Sequence, residues 1–405
     1  TPLYSSAASD VYKRQKDDNA SVRLAAVIAL RRRLDASAAR FVNDKSTVVA
    51  DEAIRAVHDL GLEAGRPAVA ALIDDLGSRE WTTFMLRRLT HSAFRLGGEK
   101  NAARVVAIAA NANVPEEARA EALRLLALWA NPYPVDQSTG HWAPLPVGDA
   151  KELRASLSAA LPSLLKGESD ILRASLELVE QYKLEVASLS NDLLAGLVAN
   201  AKLSGSARAK ALELWLERKP ADLAEVAGKY AKDKQDEVAM VAVGALAHLN
   251  PAQGLVELSA AASKGAAARR QGAWKALAKL QAPGVDALFV SSLKALEQAK
   301  GVSPAAIELL EAAAQRSEPA VKEALAATQK AIAGGADKLG KWLPALEGGD
   351  ATNGFALVTA LPAGQCLRCH RASDDSHAAG GEAGPNLAGV ATVSYTHLRA
   401  HETKA

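Results

Sequence analysis

The sequence predicts an all-α protein, on three observations. Along most of the 405 residues, an apolar residue is followed by a small one four later, then by apolar residues three and four beyond it. Gly, Pro, Asp and Asn breakers separate successive copies of this pattern. The composition, 49% hydrophobic but only 4% aromatic, is that of an alanine-rich soluble chain. No apolar run reaches the roughly 20 residues that a bilayer-spanning helix requires, so no transmembrane segment is expected. A net charge of +2 without a clustered basic stripe gives no sign of a nucleic-acid partner.

The copies run in order along the chain. Val22, Ala26, Ala29, Leu30 open the series, and Val49, Ala53, Ala56, Val57 repeat it. Leu89, Ala93, Leu96 form a looser copy, and Ala118, Ala122, Leu125, Leu126, Trp129 a full one. Ile171, Ser175, Leu178, Val179, Tyr182 follow, then Ala207, Ala211, Leu214, Trp215 and Val238, Ala242, Ala245, Leu246, Leu249. Arg269 replaces the first apolar residue of the last copy, which continues as Ala273, Ala276, Leu277, Leu280. The spacing is one face of an α-helix, and the small residue in its middle admits a neighbouring helix. At Asn113-Val114-Pro115-Glu116-Glu117, proline suits a first helical turn and the acids suit the positive end of the helix dipole.

With one longer gap aside, the small positions recur at roughly 27 to 40 residues, a spacing met in helical-pair repeats. The pattern resembles HEAT-type repeats, spanning residues 16–345. Such units cannot bury their apolar stripe alone, so the resemblance implies a stacked α-solenoid; an irregular helical bundle is the other reading. A solenoid offers a binding surface or spaces domains, and names no reaction.

The longer gap holds the proline-rich stretch NPYPVDQSTGHWAPLPVGD, residues 131–149. It reads as a rigid loop that either covers the ends of two helices, the preferred expectation, or docks a neighbouring domain. His141 stands there without a nearby carboxylate or cysteine partner in sequence, so no ligand role is assigned to it.

The only two cysteines stand together in Cys366-Leu367-Arg368-Cys369-His370. This fits the attachment sequence for c-type haem. Two thiols one helical turn apart can each add to a porphyrin vinyl group, and His370 then sits beneath the ring as proximal axial ligand to iron. Displacing that histidine by one residue would turn it about 100° around the helix. A redox dithiol would want a βαβ setting, whereas the flanks read as helix and glycine-rich loop. Structural zinc wants four ligands, and no second cysteine pair exists.

The surroundings extend the motif. A short helix is expected from about Ala351 to Thr359, and Gly384-Pro385-Asn386-Leu387 follows a loop of Gly, Ala and acidic residues. The block 346–392 resembles the first half of a class I cytochrome c. That resemblance implies that the Pro385 carbonyl accepts a hydrogen bond from the non-ligating nitrogen of His370, a contact that fixes the ring and tunes the metal. It also implies that Asn386 and Leu387 line the haem pocket; an ordinary turn plus a core leucine is the plainer reading of those two. The chain departs from the family in lacking a distal methionine here. Met85 and Met240, the only methionines, lie in the repeats, and His377 stands too close to His370 in sequence to reach the opposite face of the ring.

Both ends carry a second kind of signal. SSAASDVYKRQ (5–15) and SYTHLRAHET (394–403) resemble a transposon-type sequencing adapter translated on its two strands. Residues 1–15 and 393–405 are therefore expected to be non-native, and the natural protein to continue past both ends. Helical repeats leading into one haem domain resemble the C-terminal part of PVC-type haem-binding CxxCH proteins, the membrane-bound dehydrogenase type. In that family a β-propeller precedes the repeats. The resemblance implies one covalent haem c and electron transfer from an upstream propeller-type donor to an envelope carrier. It also implies a periplasmic or cell-envelope location. A helical scaffold with a structural or zinc-binding cysteine pair is the alternative. No catalytic triad, phosphate loop or HExxH motif occurs, and the scattered Asp and Glu read as solvated helix faces. Enzymatic activity in this chain is left open on those grounds.

Overall fold

The computed structural model describes residues 17–134, 136–184, 189–334, 340–345, 348–349, and, beyond them, Gly354, His370, Arg371, Gly384 and 386–388. Among the described residues the regular structure is helical, and no strand occurs. The chain divides into two compact units, Thr1–Asn131 with Val147–Gly349, and Pro132–Pro146 with Asp350–Ala405.

The first unit is built from α1 (Ala20–Arg32), α2 (Thr47–Asp59), α3 (Arg66–Ala71), α4 (Thr83–Leu96), α5 (Glu99–Ala110) and α6 (Glu116–Ala127). After the excursion come α7 (Lys151–Leu164), α8 (Ser169–Gln181), α9 (Asn191–Ala199), α10 (Gly205–Glu217), α11 (Leu223–Tyr230) and α12 (Asp236–Leu249). The series ends with α13 (Pro251–Ser263), α14 (Ala267–Lys279), α15 (Val285–Gln298), α16 (Ala306–Ala314) and α17 (Pro319–Ala333). Short polar side chains start several of them. Asn19, Thr82, Ser190, Ser204 and Asn250 each accept a backbone N–H two or three residues on, satisfying donors that the first turn leaves open. Pro115 is the cap before α6 rather than part of its first turn, while Glu116 and Glu117 occupy that turn as expected.

Four helices end without glycine where the chain turns left-handed. Leu34, Lys183, Lys219 and Lys300 take φ of 54°, 49°, 49° and 54°. After α8, Leu184 N–H reaches back to Val179 O at 2.9 Å, and after α15 Gly301 N–H reaches Leu296 O at 2.9 Å. These bonds close the last carbonyls and redirect the chain for the next helix.

Substantial packing is confined to helices one or two apart in chain order: α5 on α6 and α7, α10 on α12, α12 on α13 and α14, α15 on α17. The recurrent stripe is what these contacts bury. Val49, Ala53, Ala56 and Val57 are inaccessible in α2, as are Ala122 and Leu126 in α6 and Ala207 and Ala211 in α10. In α8 Ser175 fills the small position; its hydroxyl donates to Ile171 O at 2.6 Å, so a buried polar group stays satisfied. The stripe drifts at α12, where Leu249 is 56% exposed and Ala247 is buried instead. The cause is Gly254 of α13. A Cβ there would fall 2.3 Å from Ala247 Cβ and 2.4 Å from its Cα, so the two backbones meet at Ala247 and Leu249 is left outside. Both methionines are core residues: Met85 and Met240 are 3% exposed, and Met240 packs against Gly272 of α14.

Candidate functional site

The second unit joins two distant stretches of chain. Sequence alone favours the proline-rich stretch as a cover for helix ends; in the structure Pro132–Pro146 clusters with Asp350–Ala405. Ala143 N–H donates to Pro134 O at 3.0 Å and Asp136 N–H to His141 O at 2.9 Å, so the segment folds back on itself. The buried Asp136 carboxylate braces the tip, accepting from Ser138 N–H at 2.8 Å, Ser138 Oγ at 2.5 Å and Thr139 N–H at 3.1 Å. Gly140, at φ 73°, completes the turn. His141 is exposed, and Trp142 beside it is 73% exposed.

Of the residues expected to hold a cofactor, His370, Asn386 and Leu387 are described; Cys366, Cys369, Pro385 and His377 lie outside the described residues. His370 is half-buried, and its imidazole lies against Gly384. A Cβ at Gly384 would stand 2.4 Å from His370 Cε1 and 2.6 Å from Nδ1. Only glycine leaves room for the ring. Leu387 N–H then donates to Arg371 O at 2.6 Å, tying the second motif to the residue after the histidine. His370 meets Gly384, and Arg371 meets Leu387, across about fifteen residues of chain. Asn386 is exposed, and its Oδ1 accepts Ala388 N–H at 3.0 Å, the ordinary turn role. Leu387 is half-buried. Of the helix expected over 351–359, Gly354 is helical and its neighbours lie outside the described residues.

The Gly384 contact packs the His370 ring on backbone, and an imidazole is a common metal ligand. Sequence reasoning quoted Gly384 but gave it no role. The available signal was the glycine directly before Pro385, a position where a close approach of backbone explains the residue.

Two polar clusters in the first unit were also missed. His58 Nδ1 lies 3.1 Å from Ser92 Oγ, and His91 Nε2 lies 2.6 Å from Glu121 Oε1, itself held by Arg124 at 2.7 Å. The two imidazoles meet edge to face at 6.3 Å. Burial pushes the His91 pKa down, against its hydrogen bond to Glu121. Burial opposes ionisation of Glu121, but the hydrogen bond from His91 and the Arg124 charge hold it well below the usual carboxylate range. His58, His91 and Ser92 are all at most 2% exposed, so no substrate reaches them. The second cluster, Glu180, Glu213 and Glu217, has the spacing of a metal site. Lys210 occupies it as cation: its ammonium pairs with Glu180 and, at 2.9 Å, with Glu213. Burial works against the Lys210 charge, and these two hydrogen bonds outweigh it and raise its pKa.

Some of the scattered acids also pair with buried arginines. Arg208 donates to Val198 O at 2.7 Å, closing the end of α9, and pairs with Asp233 at 2.6 Å. Arg119 does the same for Ala109 O and Glu168, and Arg316 for Ala278 O, Leu280 O and Asp286.

No protein-family model matches the chain, and no curated protein matches it.

Proposed function

We propose that the chain carries one covalent haem c and transfers electrons. Cys366 and Cys369 would form the thioethers and His370 would be the proximal ligand, with the helical repeats acting as a HEAT-like solenoid scaffold. The group supplies reversible one-electron chemistry when bound; the chain's own residues hold and orient it. His370 presents the imidazole, Gly384 gives its ring room, and Leu387 offers an apolar side chain. The observation that supports this reading is the meeting of His370 with Gly384 and of Arg371 with Leu387. A free redox dithiol or half a zinc site asks for neither contact. The block 346–392 is read as the first half of a class I cytochrome c domain. The envelope location follows from thioether attachment outside the cytoplasm, and the redox partners are an upstream donor domain and an envelope carrier. Packing of the repeats on near neighbours alone supports the solenoid.

The test is production of the chain with periplasmic cytochrome maturation. Haem that stays on the polypeptide in denaturing electrophoresis, and disappears in the Cys366→Ala/Cys369→Ala variant, is the expected result. A colourless protein containing zinc but no iron would replace this reading with the scaffold one.

A further inference from the structure

An open groove of about 710 Å³ runs between α1 and α2 in the first unit. Leu24 and Ile28 of α1 and Val48 of α2 line it, with Leu34 and Leu60 just past the two helix ends. Val48, Leu34 and Leu60 are 62%, 63% and 38% exposed. A single exposed apolar side chain is ordinary, but three around one groove form a patch. Leu34 is held there at a cost, because its φ of 54° is left-handed and disfavours a residue with a Cβ. The other non-glycine residues with positive φ among those described are Lys183, Lys219 and Lys300, all exposed, whose charged ends suit water. Leu34 alone combines that backbone with an apolar side chain in solvent. Strain kept at an exposed position points to a contact made by the side chain.

The charges around the groove do not cancel. Glu52 pairs with Arg31 at 2.6 Å and lies 3.8 Å from Arg55, and Asp51 pairs with Arg79 at 2.7 Å. Both acids of the groove are thus taken. Arg32 lines it as well, is exposed, and has no ion-pair partner among the described residues. Arg32 and Arg55 leave the groove with surplus positive charge.

The stretch of α2 from Val48 to Leu60 spans about 18 Å at 1.5 Å per residue, or about three turns of a second helix laid beside it. A trough of that length, apolar within and cationic in balance, complements a helix whose apolar stripe is flanked by carboxylates. We propose that the α1–α2 groove docks an acidic amphipathic helix of a partner protein. The apolar side chains of that helix pack among Leu24, Val48 and Leu34, and its carboxylates meet Arg32 and Arg55. The proposal is independent of the haem reading above.

The test titrates the full chain into a fluorescent helical peptide of about four turns, with leucine along one face and glutamate beside it, and reads anisotropy. A second peptide carries lysine in place of glutamate. The glutamate peptide should bind, more weakly as salt is added, and the lysine peptide should not. Arg32→Glu should weaken the first and strengthen the second. Leu34→Asn should weaken binding about tenfold or more. It should leave the thermal stability of the first unit equal or higher, since asparagine tolerates a left-handed backbone. Val256→Asn, which removes an exposed valine of α13, should leave binding unchanged. Failure of the glutamate peptide to bind, or equal binding of both peptides, overturns the proposal. A loss of stability in Leu34→Asn without a loss of binding assigns that leucine to the fold and overturns it too. Self-association that Leu34→Asn abolishes in sedimentation would give the groove to a second copy of the chain. Flotation with phosphatidylglycerol vesicles, without peptide binding, would give it to a lipid surface. Either result overturns the helical partner.

Discussion

His91 and Glu121 show how a single buried pair controls a repeat. His91 on α4 reaches across to Glu121 on α6, and the carboxylate is completed by Arg124 at 2.7 Å and Arg87 at 3.7 Å. Both pKa values are lowered, so the folded state holds fewer protons than the unfolded chain. Stability is therefore complete above the ordinary imidazole value of 6.5 and is lost as pH falls. His91 contributes first, and Glu121 follows below 4.5. Chemical unfolding of the first unit at a series of pH values should show this decline. His91→Gln, which keeps a donor to Glu121 but cannot titrate, should flatten its upper part. Glu121→Ala should cost about 1–3 kcal/mol at neutral pH by stranding His91 and Arg124. None of this was legible in the sequence, because thirty residues separate the partners and helical periodicity is blind to contacts between repeats. Gly384 was hidden for the same reason: its meaning lies in the His370 ring that touches it.

At the scale of the element, periodicity told much more. The stripe from Val49 to Val57, and its copies in α6, α8 and α10, was readable because burial on one helical face leaves a mark every three or four residues. It failed at Leu249, where a glycine on the next helix decides which face is buried. That difference makes a paired prediction. Gly254→Ala forces a Cβ into the Ala247 backbone and should destabilise the first unit by about 1–3 kcal/mol. Gly196→Ala in α9 meets nothing within 4 Å and should stabilise it by about 0.5–1 kcal/mol through helix propensity. Thermal unfolding of the two variants must move in opposite directions. The arginine struts make a second. Arg208→Met removes the tie from Val198 O to Asp233 and leaves that carboxylate little exposed and unpaired. A loss of about 3–5 kcal/mol is expected, as for breaking other buried pairs. Asp233→Asn, which keeps an acceptor for the guanidinium, should cost less.

The helices of the first unit are interrupted in chain order between α6 and α7, and the interrupting segment, Pro132–Pro146, belongs to the other unit. The described helices of regular length lie in the first unit, which also holds most of the chain, so far-ultraviolet circular dichroism reports chiefly on it. A haem on Cys366 and Cys369 would report on the second unit through its Soret band. A ligand stabilises only the cooperative body that binds it, and helices packed on near neighbours carry such stabilisation poorly over distance. Heating the haem-loaded protein should accordingly give two transitions, the Soret change at one temperature and the loss of helix at another. Cys366→Ala/Cys369→Ala should abolish the first and leave the second where it was. Replacing Pro132–Pro146 by a flexible link of equal length separates the contributions further. If the excursion serves the second unit, the Soret transition falls in temperature while the helical one holds. A drop in the helical transition alone would mean that those prolines brace α6 and α7 after all.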